Sequence, residues 1–423
     1  MRRKAPWIAI LSEFELAVAE NVARFLAMLD NEFKTYGVGN GLPFNIRDAV
    51  QKAPRHRFVH RFFARESGQV EDFDAEPLRQ LARIYSDQPQ THVNGLGEAL
   101  PSSNSQPSYV LWLVHMLALQ SGHRVLEIGS GSGWLAAIMA RLVGHAGHVT
   151  GVEIIADLAE RSRKDLQELD FENVTIIAGD GTRACGEGAS YDRAIITAAT
   201  WDLPPALFDC IVEGGRILIP IAQRGGGGCC HVTLLRRVHD RFVAERIVPG
   251  AFVPLVGPRQ TPLGEQFALE DTPFWPDVRD APTFRCPLWL AEVAEAAMAF
   301  RTYLGQTDPN FVVFDKGLSG MAHLTAPFGL VDTTARSLSL CQSGELICYG
   351  TVHAARRLAS AYARWTELGL PGPNAFELEI VQIHKAPEAR EGTWVEQRGD
   401  SALVWRLKPG GESWRALLDN PNP

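Results

Sequence analysis

The stretch Arg124–Gly133, which reads RVLEIGSGSG, decides the fold of this 423-residue chain. An apolar run at 125–128 precedes glycines at the alternate positions 129, 131 and 133. The residues that follow, WLAAIMA at 134–140, have the composition of a helix. A strand, a glycine loop and a helix in this order are typical of the first unit of a nucleotide-cofactor sheet. Glycines allow the tight turn and let a ligand lie against bare main chain.

The glycine spacing and the residue before the loop indicate the kind of ligand. A dinucleotide fingerprint has the spacing G-x-G-x-x-G, whereas the spacing here is G-x-G-x-G. Glu127 would repel a pyrophosphate but suits a cation. S-adenosylmethionine carries an ammonium and a sulfonium group and no phosphate, so the loop favours this cofactor. Glycine-rich turns without any cofactor also occur, and the loop alone leaves that alternative open.

Two more acidic residues follow at the ends of predicted strands. Gly147–Glu153 reads as a second strand, and Glu153 has the offset from the glycines that is usual for a carboxylate binding both ribose hydroxyls. Val174–Ala178 reads as a third strand, and Asp180 after it suits the adenine amino group. Each acid taken singly is more typical of a cap or turn, but acids at three successive strand ends are not. The sequence therefore predicts S-adenosylmethionine, with S-adenosylhomocysteine as product, at Glu127, Gly129, Gly131, Gly133, Glu153, Asp180 and Gly181.

Residues from about Ala53 to Gly257 resemble the protein-L-isoaspartate O-methyltransferase family. The matching motifs, besides the glycine loop, are PRHRFV at 54–59, SNSQP at 103–107, GDG at 179–181, IITAA at 195–199 and FVPL at 252–255. The Ser-Gln-Pro and Phe-Val-Pro-Leu elements are more specific than the loop. The resemblance implies an α/β, Rossmann-like class I S-adenosylmethionine-dependent methyltransferase. It further implies an enzyme that esterifies the side-chain carboxylate of an Asp or isoAsp residue in a peptide or protein.

The expected chemistry explains why no acid–base constellation with convincing spacing is found. A carboxylate with a pKa near ~4 is already ionised at neutral pH and needs no general base. The reaction needs alignment and a few donors that hold the carboxylate. The resemblance places Ser105 beside the substrate carboxylate as the catalytic residue. It implies further substrate contacts at Gln106, Pro107, Thr197, Ala198 and Ala199.

Two observations leave the role of Ser105 and the choice of substrate open. Ser105 could instead be only the N-cap of a helix predicted for Tyr109–Leu119. Family members usually have an apolar residue and a threonine before this serine, whereas this chain has Ser103 and Asn104. The preceding residues 95–102 look like a longer lid.

Composition excludes several classes of partner and site. The net charge of −8 argues against a nucleic-acid partner. No apolar run approaches the roughly 20 residues of a membrane span, and no signal peptide is recognised, so the expected location is the cytoplasm. Seven cysteines without a C-x-x-C pair predict neither a metal site nor a disulfide framework.

The length predicts more than one folded unit. We expect an N-terminal helical extension at 1–52, with an amphipathic helix at Glu13–Phe33, and the methyltransferase domain at 53–257. A connector at 258–287 and a C-terminal α+β accessory domain at 288–423 are expected to follow. The accessory domain has no recognisable catalytic cluster.

This added domain suggests a dedicated substrate. The chain resembles extended relatives found with ribosomally made peptide natural products, in which an Asp ester of a precursor peptide cyclises to an aspartimide. This resemblance favours a precursor peptide as the partner. General repair of isoaspartyl proteins is the alternative. A small-molecule carboxyl methyltransferase, or a cofactor-binding module without catalysis, is a third hypothesis.

Overall fold

The structure is a computed structural model that describes residues 6–64, 68–183, 188–223, 229–259, 267–287, 294–314, 316, 326–372, 375–390 and 392–408. The chain forms two compact units. The first contains Met1–Ala198, Asp209–Leu218 and Val256–Pro258. The second contains Ala199–Phe208, Ile219–Leu255 and Arg259–Pro423. The fourfold division expected from the sequence remains a prediction.

The N-terminal part of the first unit combines helices with a small antiparallel sheet. The predicted helix at 13–33 is confirmed, and it extends from Pro6 to Thr35 because its apolar residues continue the helical period. Its buried face contains Phe25, Leu29 and Phe33. The sheet has the order β2-β1-β3-β4, so the predicted lid is a β-hairpin made of β3 and β4. The elements are α1 (Pro6–Thr35), α2 (Phe44–Lys52), β1 (Arg61–Ala64), β2 (Gln69–Asp72), α3 (Pro77–Ile84), β3 (Gln90–Val93), β4 (Ala99–Asn104) and α4 (Pro107–Leu117).

A parallel sheet forms the core of the first unit. The sheet and its helices are β5 (Arg124–Ile128), α5 (Trp134–Val143), β6 (His148–Glu153), α6 (Ala156–Glu168), β7 (Val174–Ala178), β8 (Tyr191–Ile196) and β9 (Ile211–Ala222). Helix α7 (Pro205–Cys210) precedes β9 in the chain, and its residues 205–208 belong to the second unit. The order is β7-β6-β5-β8-β9 with parallel pairing throughout. After β7 the chain crosses to the other side of β5, where it forms β8 and then β9. The switch point of the strand order therefore lies between β5 and β8. This topology confirms the predicted α/β, Rossmann-like fold.

The second unit contains the other strands of this ten-stranded sheet and a separate five-stranded sheet. Strand β9 contributes residues 211–218 to the first unit and 219–222 to the second. The strands in the second unit have the orders β9-β10-β11-β17-β19-β18 and β12-β16-β15-β14-β13. Their strands are β10 (Cys229–Val238), β11 (Arg241–Ala251), β12 (Phe284–Pro287), β13 (Phe311–Val313), β14 (Phe328–Asp332), β15 (Ser337–Gln342), β16 (Glu345–Gly350), β17 (Phe376–Gln382), β18 (Thr393–Arg398) and β19 (Ser401–Leu407).

Helices α8 (Trp275–Val278), α9 (Ala294–Thr307) and α10 (His353–Glu367) complete the second unit. Trp365 and Trp405 are almost fully buried. Strand β17 alternates, and its apolar residues Phe376, Leu378 and Ile380 share a buried face.

The cysteine prediction needs one correction. Cys210 is disulfide-bonded, whereas Cys286, Cys341 and Cys348 carry free thiols. Spacing in the sequence did not show this, because the cysteines form no C-x-x-C pair or other local motif. Within the described part of the chain, no group of three or more His, Cys, Asp or Glu side chains is arranged to hold a metal ion. No helix among the residues searched has the length and hydropathy needed to cross a membrane.

Candidate cofactor and active site

The glycine loop follows β5 at the switch point of the parallel sheet. Gly129, Gly131 and Gly133 have φ angles of 87°, 53° and 81°. This left-handed region costs other residues energy but not glycine. A Cβ atom on Gly133 would lie 2.5 Å from the Ser162 Oγ atom, and one on Gly129 would lie 2.8 Å from Thr197 Oγ1. The sequence places glycine here because both the turn and the close packing exclude a side chain.

Glu153 lies against this loop, as the sequence predicted from its spacing. Its carboxylate is 3% exposed, and Oε2 accepts the Gly131 N–H at 2.8 Å while Oε1 accepts the Ile155 N–H at 3.0 Å. Burial raises the pKa of Glu153, whereas the backbone donors oppose that rise. Each oxygen keeps a second lone pair for a ligand hydroxyl.

Within the described structure, Glu127 has fewer hydrogen bonds than Glu153 to offset its burial. It is only 1% exposed, and its Oε2 has no hydrogen-bond partner among the described residues. Burial, and next the charge of Glu153, raise the pKa of Glu127 well above the ordinary value. An unsatisfied buried carboxylate is costly, and a bound cation would remove that cost. The residue therefore suits an ammonium or sulfonium ligand.

Asp180 and Gly181 form the turn after β7. Asp180 Oδ1 accepts the Thr182 N–H at 2.9 Å and the Thr182 hydroxyl at 2.7 Å, and this begins a short 3-10 turn. Asp180 Oδ2 is buried without a hydrogen bond to a described residue. Gly181 packs so closely on the Ile128 side chain that a Cβ atom would clash. The turn therefore presents a carboxylate oxygen beside the end of β5, and Arg183 Nε lies 3.9 Å from that oxygen.

Ser105 lies between β4 and α4 and is half-buried. The N-cap residue of α4 is Gln106, which makes no side-chain cap hydrogen bond. Asp87 satisfies the helix start instead: Oδ1 accepts the Ser108 N–H at 2.8 Å, and Oδ2 accepts the Ser108 hydroxyl and the Gln106 Nε2–H, each at 2.7 Å. Since Asp87 has that structural task, the cap explanation for Ser105 is not needed. Sequence reasoning missed Asp87, which carries no motif.

The strand that leads to Ser105 is joined to the glycine loop. The Ser132 hydroxyl donates to Asn104 Oδ1 at 2.7 Å. Asn104 directly precedes Ser105, so this bond places the serine near the loop. The Asn104 side-chain amide provides the link. Gln106, bound to Asp87, and Pro107, the buried first residue of α4, shape the helix start rather than facing outward.

The remaining predicted substrate residues follow β8. Thr197 donates from its N–H to Ile128 O at 3.0 Å and from its hydroxyl to Gly129 O at 2.6 Å. It therefore joins the end of β8 to the end of β5 at the switch point. Ala198, the next residue in the chain, is buried. Ala199 belongs to the second unit, where its N–H donates to Val253 O at 2.7 Å and its carbonyl accepts the Leu255 N–H at 2.8 Å. Two of the family-like motifs therefore meet at Ala199.

The polar groups at the glycine loop fit S-adenosylmethionine. Buried oxygen atoms on Glu127 in β5, on Ser130 in the loop and on Asp180 after β7 make no hydrogen bond to a described residue. Gly129 and Gly133 have no room for a Cβ atom. Carboxylates at the ends of three neighbouring strands suit an ammonium, ribose hydroxyls and an adenine amino group. A pyrophosphate would meet Glu127 and Glu153, both almost fully buried, and would be repelled.

We expect Glu153→Ala and Asp180→Ala each to weaken S-adenosylmethionine binding by roughly 1.5–3 kcal/mol, since each removes a charged acceptor. Isothermal titration calorimetry measures the change. Asp180→Asn is the matched control for the turn, because one amide oxygen still accepts from Thr182 while the other position becomes a donor. It should fold normally and still bind weakly. Unchanged affinity in both alanine variants would contradict the cofactor assignment.

Comparison with known proteins agrees with this geometry. Residues 43–260 match the family described as protein-L-isoaspartate(D-aspartate) O-methyltransferase. A protein-L-isoaspartate O-methyltransferase of Ignicoccus hospitalis is 36% identical over 211 residues, which are 50% of this chain and 88% of that relative. Protein-L-isoaspartate O-methyltransferase 2 of a Polaromonas species is 36% identical over 235 residues, which are 55% of this chain and 98% of that relative.

These matches confirm the resemblance that the Ser-Gln-Pro and Phe-Val-Pro-Leu motifs indicated. They also confirm that the chain is a methyltransferase with S-adenosylmethionine as its cofactor. The matched segment contains the glycine loop, all three carboxylates and Ser105. The chain belongs to the protein-L-isoaspartate(D-aspartate) O-methyltransferase family.

Proposed function

We propose that this protein methylates the side-chain carboxylate of isoaspartyl residues in proteins and peptides, as a general repair enzyme. The observation that carries the proposal is the link from the glycine loop through Ser132 and Asn104 to Ser105. Because Asn104 directly precedes Ser105 in the chain, this link supports a role for the Ser105 hydroxyl as a donor near the predicted cofactor site. The family match and the names of its relatives support this general activity better than the dedicated precursor that the sequence favoured.

Each group of residues has a separate task in this proposal. When bound, S-adenosylmethionine supplies a methyl group on a sulfonium centre. Glu127, Glu153 and Asp180 bind and orient the cofactor, and the glycine loop lets it approach the main chain. Ser105 donates to the substrate carboxylate and aligns it without neutralising it. No general base is required, because the carboxylate is ionised at neutral pH. Alignment of this kind is a large source of rate enhancement.

We expect Ser105→Ala to slow methyl transfer at least about tenfold, the effect of losing one hydrogen bond to a charged group. Cofactor affinity and melting temperature should stay nearly unchanged. Single-turnover kinetics with saturating cofactor measures the rate. Ser103→Ala is the matched control, because Ser103 is also half-buried but lies on β4, before the Asn104 link to Ser132. Early unfolding of Ser105→Ala with normal turnover would restore the capping explanation.

The substrate class is tested with paired peptides of identical sequence that contain either isoaspartate or aspartate. General repair predicts methyl ester formation on isoaspartyl peptides of unrelated sequence and little on the aspartyl forms. Mass spectrometry detects the ester and the succinimide that forms when methanol leaves. Turnover restricted to aspartate in one peptide sequence would contradict general repair.

A second candidate function is the modification of a dedicated precursor peptide at Asp, with the ester cyclising to an aspartimide. The observation that favours it is the large part of the chain after residue 260, which the family match does not cover. This part includes strands β12 to β19. A substrate held at two places gains effective concentration at the active site. The paired-peptide assay tests this candidate too. It uses the full chain, because β17 pairs with β11 and truncation would break that sheet.

A further inference from the structure

His92 on β3 is a buried histidine with an unsatisfied nitrogen at the glycine loop. His92 is only 6% exposed, and its Nε2 atom has no hydrogen-bond partner among the described residues. A Cβ atom on Gly131 would lie 3.5 Å from His92 Nε2, so the ring nitrogen is directly over the central glycine. The buried His56 differs from His92 in this respect, because its Nδ1 atom is hydrogen-bonded to the Tyr85 hydroxyl at 2.7 Å.

The surroundings of His92 are positively charged. Burial, and then the charges of Arg161 and Arg55, lower the pKa of His92 to about 4, so the ring is neutral at physiological pH. Arg55 is only 1% exposed; Nη2 donates to Gln90 Oε1 at 3.2 Å, while Nε and Nη1 have no hydrogen bond to a described residue. Gln90 and His92 lie two residues apart on β3, and therefore on the same face of that strand.

Arg55 also lies at the beginning of the helix that follows the loop. Its Cζ atom is 4.6 Å from the centroid of the Trp134 ring, and Trp134 is the first residue of α5. A buried guanidinium, a neighbouring cation and the positive end of a helix dipole together favour an anion. S-adenosylmethionine contains one anionic group, the carboxylate of its amino-acid end.

We propose that His92 is a positioning residue of the cofactor site, whose Nε2–H donates to the carboxylate of S-adenosylmethionine. The inference rests on the proposed function and deepens it by assigning the amino-acid end of the cofactor. Asn104 supplies a second donor: its Oδ1 is taken by Ser132, while its Nδ2 is buried without a partner. Asn104 is paired with Gln90 in the β3–β4 register, so both donors lie on the same hairpin.

Three ligands test this assignment by calorimetry: S-adenosylmethionine, decarboxylated S-adenosylmethionine and 5′-methylthioadenosine. The second ligand lacks only the carboxylate, and the third lacks the whole amino-acid end. We expect the wild-type protein to bind the decarboxylated form about 10- to 100-fold more weakly, the effect of losing hydrogen bonds to a charged group. His92→Phe should weaken S-adenosylmethionine by a similar factor and leave the other two affinities unchanged. His92→Gln, which keeps a donor, should recover part of the loss.

Different outcomes separate the possible failures. A wild-type protein that binds all forms equally contradicts the inference, even if no His92 variant folds. Equal weakening of all three ligands by His92→Phe shows a purely structural role and also overturns it. In either case, retained methylation of isoaspartyl peptides leaves the proposed function standing. A wild-type protein that binds none of the ligands contradicts the proposed function as well.

Discussion

Gly133→Ala is expected to abolish cofactor binding and to lower the stability of the first unit by about 2–5 kcal/mol. Two costs add. The φ angle of 81° is left-handed, which costs alanine roughly 1–2 kcal/mol. The new methyl group would also lie 2.5 Å from Ser162 Oγ and 3.3 Å from Leu166 Cδ1, both on a helix packed in the core. Chemical denaturation measures the stability, and calorimetry measures the affinity.

Gly122→Ala is the matched control for this substitution. Gly122 has a φ angle of 86°, but nothing lies within 4 Å of its Cβ position, and it is outside the loop. It should show the backbone cost alone, roughly 1–2 kcal/mol, with normal cofactor affinity. Ser162→Gly combined with Gly133→Ala should recover part of the stability, because it removes the nearest clashing atom. Equal effects at positions 122 and 133 would show that close packing of the loop on α6 is unimportant.

The sequence predicted the parallel sheet because local patterns determine it. Each strand is a short apolar run, and the loop glycines at 129, 131 and 133 supply the positive φ angles that the turn after β5 requires. The resemblance to the family implied the Rossmann-like fold, whereas the order of the strands is known from the structure. Helix limits moved by a few residues: α4 begins at Pro107 rather than at Tyr109, because Asp87 caps it from a distant loop.

Other features of the site depend on contacts between distant segments, which no local pattern encodes. Asp87 lies in an ordinary turn, and only the fold brings it to the start of α4. His92 belongs to a short strand whose alternation says nothing about the loop it covers. Strands β11 and β17 likewise pair within one compact unit, although no local pattern relates them. Such pairings join residues far apart in the chain.

Glu127→Gln is expected to have opposite effects on stability and on cofactor binding. Burial and Glu153 raise the pKa of Glu127, so the folded protein binds this proton more tightly than the unfolded chain does. Stability from this group is therefore complete at low pH and is lost as the pH rises past the unfolded value near 4.5. Glutamine removes that loss. The variant without cofactor should be more stable than wild type at pH 7, with little difference at pH 4.

The same substitution should weaken S-adenosylmethionine by about 1.5–3 kcal/mol, because the amide cannot form a charged pair with an ammonium group. In the wild type the bound cation stabilises the ionised carboxylate, so binding should release a proton. Calorimetry in buffers of different ionisation enthalpy measures that release, which the variant should lack. Glu98→Gln, on the exposed tip of the hairpin, is the control and should change neither quantity. A less stable Glu127→Gln protein that binds cofactor normally would mean that the carboxylate is structural and that another group faces the ammonium.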